Sequence, residues 1–460
     1  MSAHRRVALA SSVIGAVVVA LDGTVLTIAQ PTLQRDLHAS FSEVQWTSTG
    51  YLIAVASLLV FAGRLGDRYG HQRLFSIGVL GFGAASAAIG FASGVHWVIA
   101  LRVVQGVFGA LLQPATLGML RAAFPPDRLG MPIALRTSAI GVAAAAGPLL
   151  GGVLVTHLGW RAVFFLNVVP ALVLAVLASA VRAPGPPPPP SPSAGPGRLD
   201  LPGAALLAVA LACLVHTLVG VPETGWSASA VLGLLTAVGA GLVLVRHERR
   251  TADPLLPPDV LGSAVVGAAL GILVLASAAM FGTLFVASYV LQSELGMDPL
   301  STALAALPGG VAMVLGAPWA AVLLRRYGAR RTTAAGLVLL SLGVSVLFRA
   351  SGAVPVGGGF LLLGAGFGTV MVTATAVVVR HAPVRSAGVA GGLQQTAMNV
   401  GPVLGVATAA TLATVTDGLR TALPVLAGTA LVGVLAALRL PDMGERRATP
   451  AGSLRHHEGS

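Results

Sequence analysis

The sequence predicts an all-α integral membrane protein with fourteen spanning helices, grouped six, two and six. Three observations carry this. The 460 residues are 55% hydrophobic and 10% charged, with a mean hydropathy of +0.86, too apolar for a chain that keeps its surface in water. Apolar runs of about 20 residues, the length that crosses a bilayer, recur along the whole chain. The arginines then alternate sides between those runs. Spanning segments must be helices, because lipid offers no hydrogen bonds to a bare backbone.

The runs fall at approximately 7–29, 44–63, 74–93, 98–120, 133–154 and 163–181, then 201–221 and 228–245, then 264–291, 301–324, 332–348, 354–379, 387–415 and 423–440. With the N-terminus placed in the cytoplasm, 23 of the 28 arginines lie on the cytoplasmic side, Arg64, Arg68, Arg73, Arg121, Arg128 and Arg136 among them. Arg35, Arg161, Arg349 and Arg420 lie outside, and Arg102 lies within a helix. That asymmetry is the positive-inside pattern. It predicts both termini in the cytoplasm, and it accounts for the net charge of +12 without a nucleic-acid partner. All 28 basic residues are arginine, which reads as genomic composition bias. The single cysteine, Cys213, excludes a disulfide framework and a cysteine metal site, and no cofactor is implied. His4-Arg5-Arg6 before an apolar run imitates a signal peptide. The run is too long and lacks a small-residue cleavage site, so it predicts an uncleaved first helix.

Five units follow: a six-helix half (1–181), a cytoplasmic linker (182–200) stiffened by Pro186–Pro190, two inserted helices (201–250), a second six-helix half (251–440) and a polar, disordered tail (441–460). An internal repeat supports the halves. Arg68-Tyr69-Gly70-x-x-Arg73 recurs as Arg326-Tyr327-Gly328-x-x-Arg331, and Gly147-Pro148-x-Leu150-Gly151 recurs as Gly401-Pro402-x-Leu404-Gly405. Both recurrences are offset by eight helices, six plus the inserted pair. Related halves in a membrane chain point to a transporter with its site at the repeat interface.

The residues that carry chemistry begin with Asp22, a carboxyl inside the first apolar run. Charge at membrane depth is costly, and a carboxyl escapes the cost by taking a proton. The alternative is a plain hydrogen bond to a neighbouring helix. Arg102 in helix 4, followed by Gln105 and Gly106, cannot shed its proton and must find an acid, carbonyls or water. Asp22 is the acid at hand. The loop Gly63-Arg64-Leu65-Gly66-Asp67-Arg68-Tyr69-Gly70-His71-Gln72-Arg73 joins helices 2 and 3. Its arginines alone satisfy a topogenic role; its glycines and Asp67 suit a gate that forms and breaks. Gly147, Pro148, Gly151 and Gly152 put small residues and a kink in helix 5. Cys213 and His216 read as packing, Glu223, Glu294 and Asp298 as solvated helix ends. Met280, Phe281, Phe285, Met371 and Met398 read as core or lipid contacts rather than an adaptable cavity.

Together these residues resemble the major facilitator superfamily, and within it the fourteen-helix drug:proton antiporters. Leu65, Asp67, Arg68, Gly70 and Arg73 match the loop motif, with His71 and Gln72 in place of basic residues. Arg102, Gln105 and Gly106 match the helix-4 motif. Gly147, Pro148, Gly151 and Gly152 match the antiporter motif of helix 5, with Ala143 where a glycine is usual. Leu21-Asp22-x-Thr24 and Pro31 match the helix-1 signature, with Thr27 and Gln30 replacing its usual residues. Gln45-Trp46, Tyr51, and Trp160-Arg161 with Phe164, Asn167 and Pro170 complete the likeness. The resemblance implies alternating access, a proton carried by Asp22, and export of an organic compound by a monomer in the bacterial cytoplasmic membrane. A broad drug pump and a narrow exporter of one natural product share every motif. An importer, a sensor built on a transporter fold and a membrane enzyme are the remaining alternatives. No catalytic set of residues favours the last.

Overall fold

The computed structural model describes residues 3–125, 128–180, 199–251, 253–257, 260, 262–297, 299–383, 386–416 and 418–441. The proline run 186–190, Arg182, Arg198, Asp298, Arg385 and the tail beyond 441 lie outside them, as do the side chains of Thr27, Pro148 and Glu223. The described residues are helical throughout, with no strand. The helices are α1 (Ala3–Asp36), α2 (Phe41–Tyr69), α3 (His71–Gly90), α4 (Val95–Ala123), α5 (Gly130–Leu158), α6 (Arg161–Phe165), α7 (Val168–Ala180), α8 (Leu201–Thr224), α9 (Ala228–Glu248), α10 (Ala264–Tyr289), α11 (Pro299–Arg349), α12 (Ala353–His381), α13 (Ala387–Val415) and α14 (Ala422–Ala437).

Ten of these are long and apolar enough to cross a membrane, and α5, bent by 44° across 145–148, makes an eleventh. Pro148 lies in that bend, as the sequence predicts. Two expectations differ from what is seen. The sixth apolar run is broken, α6 ending before a turn at Leu166-Asn167 and α7 resuming at Val168. The tenth and eleventh runs are joined end to end in α11, which breaks at Gly328 where φ is 83°. That angle is left-handed, where only glycine is unstrained. Gly70, its repeat partner, has φ 96°. In each copy the arginine stacks on the following tyrosine at 5.4 Å: Arg68 on Tyr69, Arg326 on Tyr327. The repeat read from the letters is thus a repeat in backbone geometry.

Local signals set the helix ends. Ser40 and Glu43 form a reciprocal capping box on α2, satisfying two otherwise orphaned N–H groups. Asp200, Ser227 and Ser263 cap α8, α9 and α10. The two halves then use their glycines alike. In the first, Gly147 and Gly151 of α5 lie against Thr24, Val25 and Ile28 of α1; in the second, Gly401 and Gly405 of α13 lie against Val274, Ser277 and Ala278 of α10. A seam joins the halves, with α5 packed on α11 and α2 on α13. The inserted hairpin sits over one edge of it. α8 packs on both α2 and α13, His216 stacks on Trp46 at 5.4 Å, and Trp226 Nε1 donates to Thr411 Oγ1 at 2.8 Å. Below the hairpin, Leu255 is buried with Val60 of α2 and Val389 of α13. The methionines and phenylalanines singled out above mostly join the core: Met371 is buried, and Met280, Phe285 and Met398 pack on the same cluster. Glu294, read as solvated, is exposed and also pairs with Arg420 at 2.7 Å.

Candidate functional site

Asp22 lies well along α1, and its carboxylate is almost wholly buried, at 1% exposure. Three side chains converge on it. Arg102 Nη1 of α4 donates to Oδ2 at 2.7 Å. Gln105 Nε2, one turn further along α4, donates to Oδ1 at 3.0 Å. Asn167 Nδ2, at the break between α6 and α7, donates to the same oxygen at 2.8 Å. Both carboxylate oxygens are therefore satisfied, which a buried charge requires. The expected pairing of Asp22 with Arg102 is direct, with no gap for water between them.

Arg102 has more than its acid. Its Nε donates to the Thr47 carbonyl at 2.9 Å, Nη1 also reaches Gln105 Oε1, and the guanidinium lies 4.2 Å from the Tyr51 ring centre. Gln105 donates in addition to Ser86 Oγ at 2.7 Å. The arginine thus keeps neutral partners on three sides, including an aromatic face. Gly106 makes this geometry possible: a Cβ there would crowd the Tyr51 carbonyl at 2.8 Å, pushing α4 off α2.

The other predicted residues separate into those that join the cluster and those that do not. Thr24 turns back on its own helix, bonding the carbonyls of Ala20 and Leu21, and its contribution is to fill the space left by Gly147. Pro31 is exposed within α1. Gly151 abuts Val25 and Ile28, but Gly152 faces open space, so the close-packing role expected of it is not seen. Gln30, one of the departures from the helix-1 signature, bonds Ser48 Oγ on α2 at 3.0 Å and does not touch Asp22.

Asn167 is the residue that sequence reading undervalued. It appears among the residues of likeness with no role. A lone amide in an apolar run was the available signal, and only the packing of α6 and α7 on α1 brings it to Asp22. Arg136 is a second correction. Counted among the loop arginines, it lies inside α5 and is 2% exposed.

The α2–α3 loop reaches across the seam. Asp67 accepts from the backbone N–H groups of Gly388 at 2.7 Å and Val389 at 3.0 Å, the first turn of α13, and its Oδ1 lies 3.3 Å from His71 Nε2. A carboxylate on a helix N-terminus meets unpaired donors and the positive end of the dipole together. Gly63 and Gly388 allow this approach, since a Cβ on Gly63 would overlap the Gly388 carbonyl. Gly70 supplies the left-handed joint, while Arg68 and Arg73 remain exposed at this end. The seam is also bridged deeper in, where Gln395 Nε2 of α13 donates to Gln113 Oε1 of α4 and Ser138 Oγ of α5 donates to the Val314 carbonyl at 2.7 Å.

Two repeated helical halves, a buried carboxylate–guanidinium cluster in one of them, and a carboxylate clamp across the seam define a multi-pass membrane transporter. The chain belongs to the major facilitator superfamily, whose family model matches residues 12–406 and again 269–457, and it falls among that superfamily's drug-efflux members. It is 42% identical over 407 residues to a tetracenomycin C resistance and export protein of Streptomyces glaucescens, covering 86% of this chain and 73% of that one. It is 35% identical to the puromycin resistance protein of Streptomyces alboniger, covering 86% and 79%. It is 30% identical to a multidrug efflux pump of Mycolicibacterium smegmatis, covering 89% and 81%. Among solved structures, the human organic anion transporter MFSD10 superposes with a TM-score of 0.68 at 16% identity, covering 95% of this chain and all of that one. At that identity the likeness speaks for the fold.

Proposed function

We propose that this protein is a proton-coupled exporter of amphipathic organic compounds, working by alternating access in the bacterial cytoplasmic membrane. The observation that carries the reading is the Asp22 cluster. It holds a buried carboxylate bonded to an arginine that also has a carbonyl, an amide oxygen and an aromatic face as partners. The named relatives, which are antibiotic resistance and efflux proteins, support the direction of transport. The arginine asymmetry supports cytoplasmic termini, so the end closed by Asp67 is the cytoplasmic one. Fourteen crossings follow if α6 and α7 together make one, α11 makes two by its break at Gly328, and the shorter α14 makes one. In the cycle, protonation of Asp22 loosens its hold on Arg102, Gln105 and Asn167, freeing α1 to shift against α4. Loss of the proton re-forms the cluster. Asp67 releases α13 when the cytoplasmic end opens, and the halves rock about the seam. The chain acts as a monomer, with lipid around it and no nucleic-acid partner.

The test uses inside-out vesicles holding the protein or its Asp22→Asn form, with an imposed proton gradient and ethidium as cargo. Gradient-driven uptake that vanishes in the variant supports the mechanism. Uptake unchanged by D22N would remove Asp22 as the obligatory proton carrier. A panel of structurally unrelated antibiotics would then separate a broad pump from a narrow exporter.

A further inference from the structure

Two arginines are buried in this protein to the same degree, Arg102 at 1% and Arg136 at 2% exposure. Arg102 has a carboxylate, a carbonyl, an amide and an aromatic face. Arg136 has none of these: among the described residues it has no hydrogen-bond or ion-pair partner, and its Nε is fully enclosed without an acceptor. A guanidinium does not solve this by losing its proton. A buried charge lacking its counter-charge is strongly destabilising, so such a group persists where a ligand or a second state supplies the partner. The chain holds 16 acidic residues, and Asp22, the one deep inside an apolar run, is already committed to Arg102.

The position of Arg136 makes the missing partner a cargo. It lies on the stretch of α5 that docks on the other half. Ala134 packs with Ala317, Ala320 and Ala321 of α11, Ile133 and Ile140 join the large cluster built mainly from the second half, and Ser138 bonds Val314. Cargo in a protein of two rocking halves passes along that seam. Other buried polar atoms of the seam helix α13 are also unmatched: Asn399 Nδ2 and Gln394 Oε1 have no partner. The Gln113–Gln395 bond ties the two halves nearby with a neutral pair that breaks cheaply.

We propose that Arg136 receives the anionic group, a carboxylate or enolate, of a transported organic compound. This deepens the exporter reading and rests on it. The cation then selects acidic amphipaths, while the apolar walls of the seam take the rest of the molecule.

The experiment measures binding of two fluorescent anthraquinones, the carboxylate rhein and its uncharged methyl ester, to the full-length protein in lipid nanodiscs. Wild type is expected to bind rhein roughly tenfold or more tightly than the ester, the worth of a charge-assisted hydrogen bond. Arg136→Gln loses that preference while still binding the ester, and Arg136→Lys keeps part of it. No charge preference in wild type, or a preference that persists in R136Q, overturns the proposal. If R136Q binds neither compound, R136K decides: a retained preference supports the site, and ester binding without preference overturns it. Proton-driven uptake of rhein into inside-out vesicles is read in parallel. Failed gradient-driven uptake with an intact rhein binding preference would sink the antiport mechanism alone, and gradient-driven uptake with no charge preference in binding would sink this site alone.

Discussion

Asp67→Asn tests the clamp across the seam. In the closed state the Asp67 carboxylate takes two backbone N–H groups, at 2.7 and 3.0 Å, from the first turn of α13. Hydrogen bonds to a charged acceptor contribute about 1.5–3 kcal/mol each, and the helix dipole adds about 0.3–1 kcal/mol. An asparagine keeps one acceptor oxygen and presents an NH2 to the second donor. The change therefore removes one bond and the charge, about 2–4 kcal/mol in all. Those contacts exist only while the halves are closed at this end, so the loss appears as a shift in population. A change of 1–3 kcal/mol moves such an equilibrium roughly 5–150-fold. Tyr69 and Tyr327, repeat partners that are both exposed, report on it. With Cys213→Ser as background, spin labels at Tyr69→Cys and Tyr327→Cys give a distance across the closing end by pulsed electron resonance. D67N is expected to add a longer-distance population. An unchanged distribution would refute the clamp, leaving Asp67 with a local role beside His71.

Other perturbations have equally definite outcomes. Gly63→Ala drives a Cβ into the Gly388 carbonyl, so it should populate the same longer distance even with Asp67 intact. Asn167→Ala removes one of the two donors to Asp22 Oδ1, a loss of about 1–3 kcal/mol for a hydrogen bond to a charged group; the melting temperature in detergent should fall. Gly147→Ala displaces Thr24 and should lower the melting temperature in detergent, whereas Gly152→Ala, facing open space, should leave it unchanged. Asp200, just ahead of α8, is pushed up by burial, but the Gly203 amide, His247 and the Leu255 amide outweigh this and hold its carboxyl below the ordinary 3.8. A depressed folded value contributes stability above the unfolded pKa, and that contribution is lost as pH falls through the folded one. Asp200→Asn should therefore melt earlier than wild type at pH 7, with the two curves converging below about pH 3.8.

The sequence by itself determined the membrane class, the all-helical architecture and the two copies of the Arg-Tyr-Gly and Gly-Pro motifs. These are properties of local composition and of single positions. An apolar run of fixed length must be helical in lipid, and a glycine that has to be left-handed, such as Gly70 or Gly328, marks its own turn. The burial of Asp22 and its need of Arg102 were also legible, because an acid at membrane depth has few ways to be satisfied. The tertiary structure alone decided the rest. Asn167 belongs to the Asp22 cluster because the helices that flank it pack on α1, and an amide's reach across 145 residues leaves no trace in spacing. Asp67 ends on the α13 N-terminus, 321 residues away, because two glycines let the backbones meet. Arg136 was counted on the cytoplasmic side by the positive-inside pattern. It is buried because this stretch of α5 packs against the second half. Hydropathy records how apolar a segment is; which face of a wholly apolar helix meets a partner is set only when the helices pack.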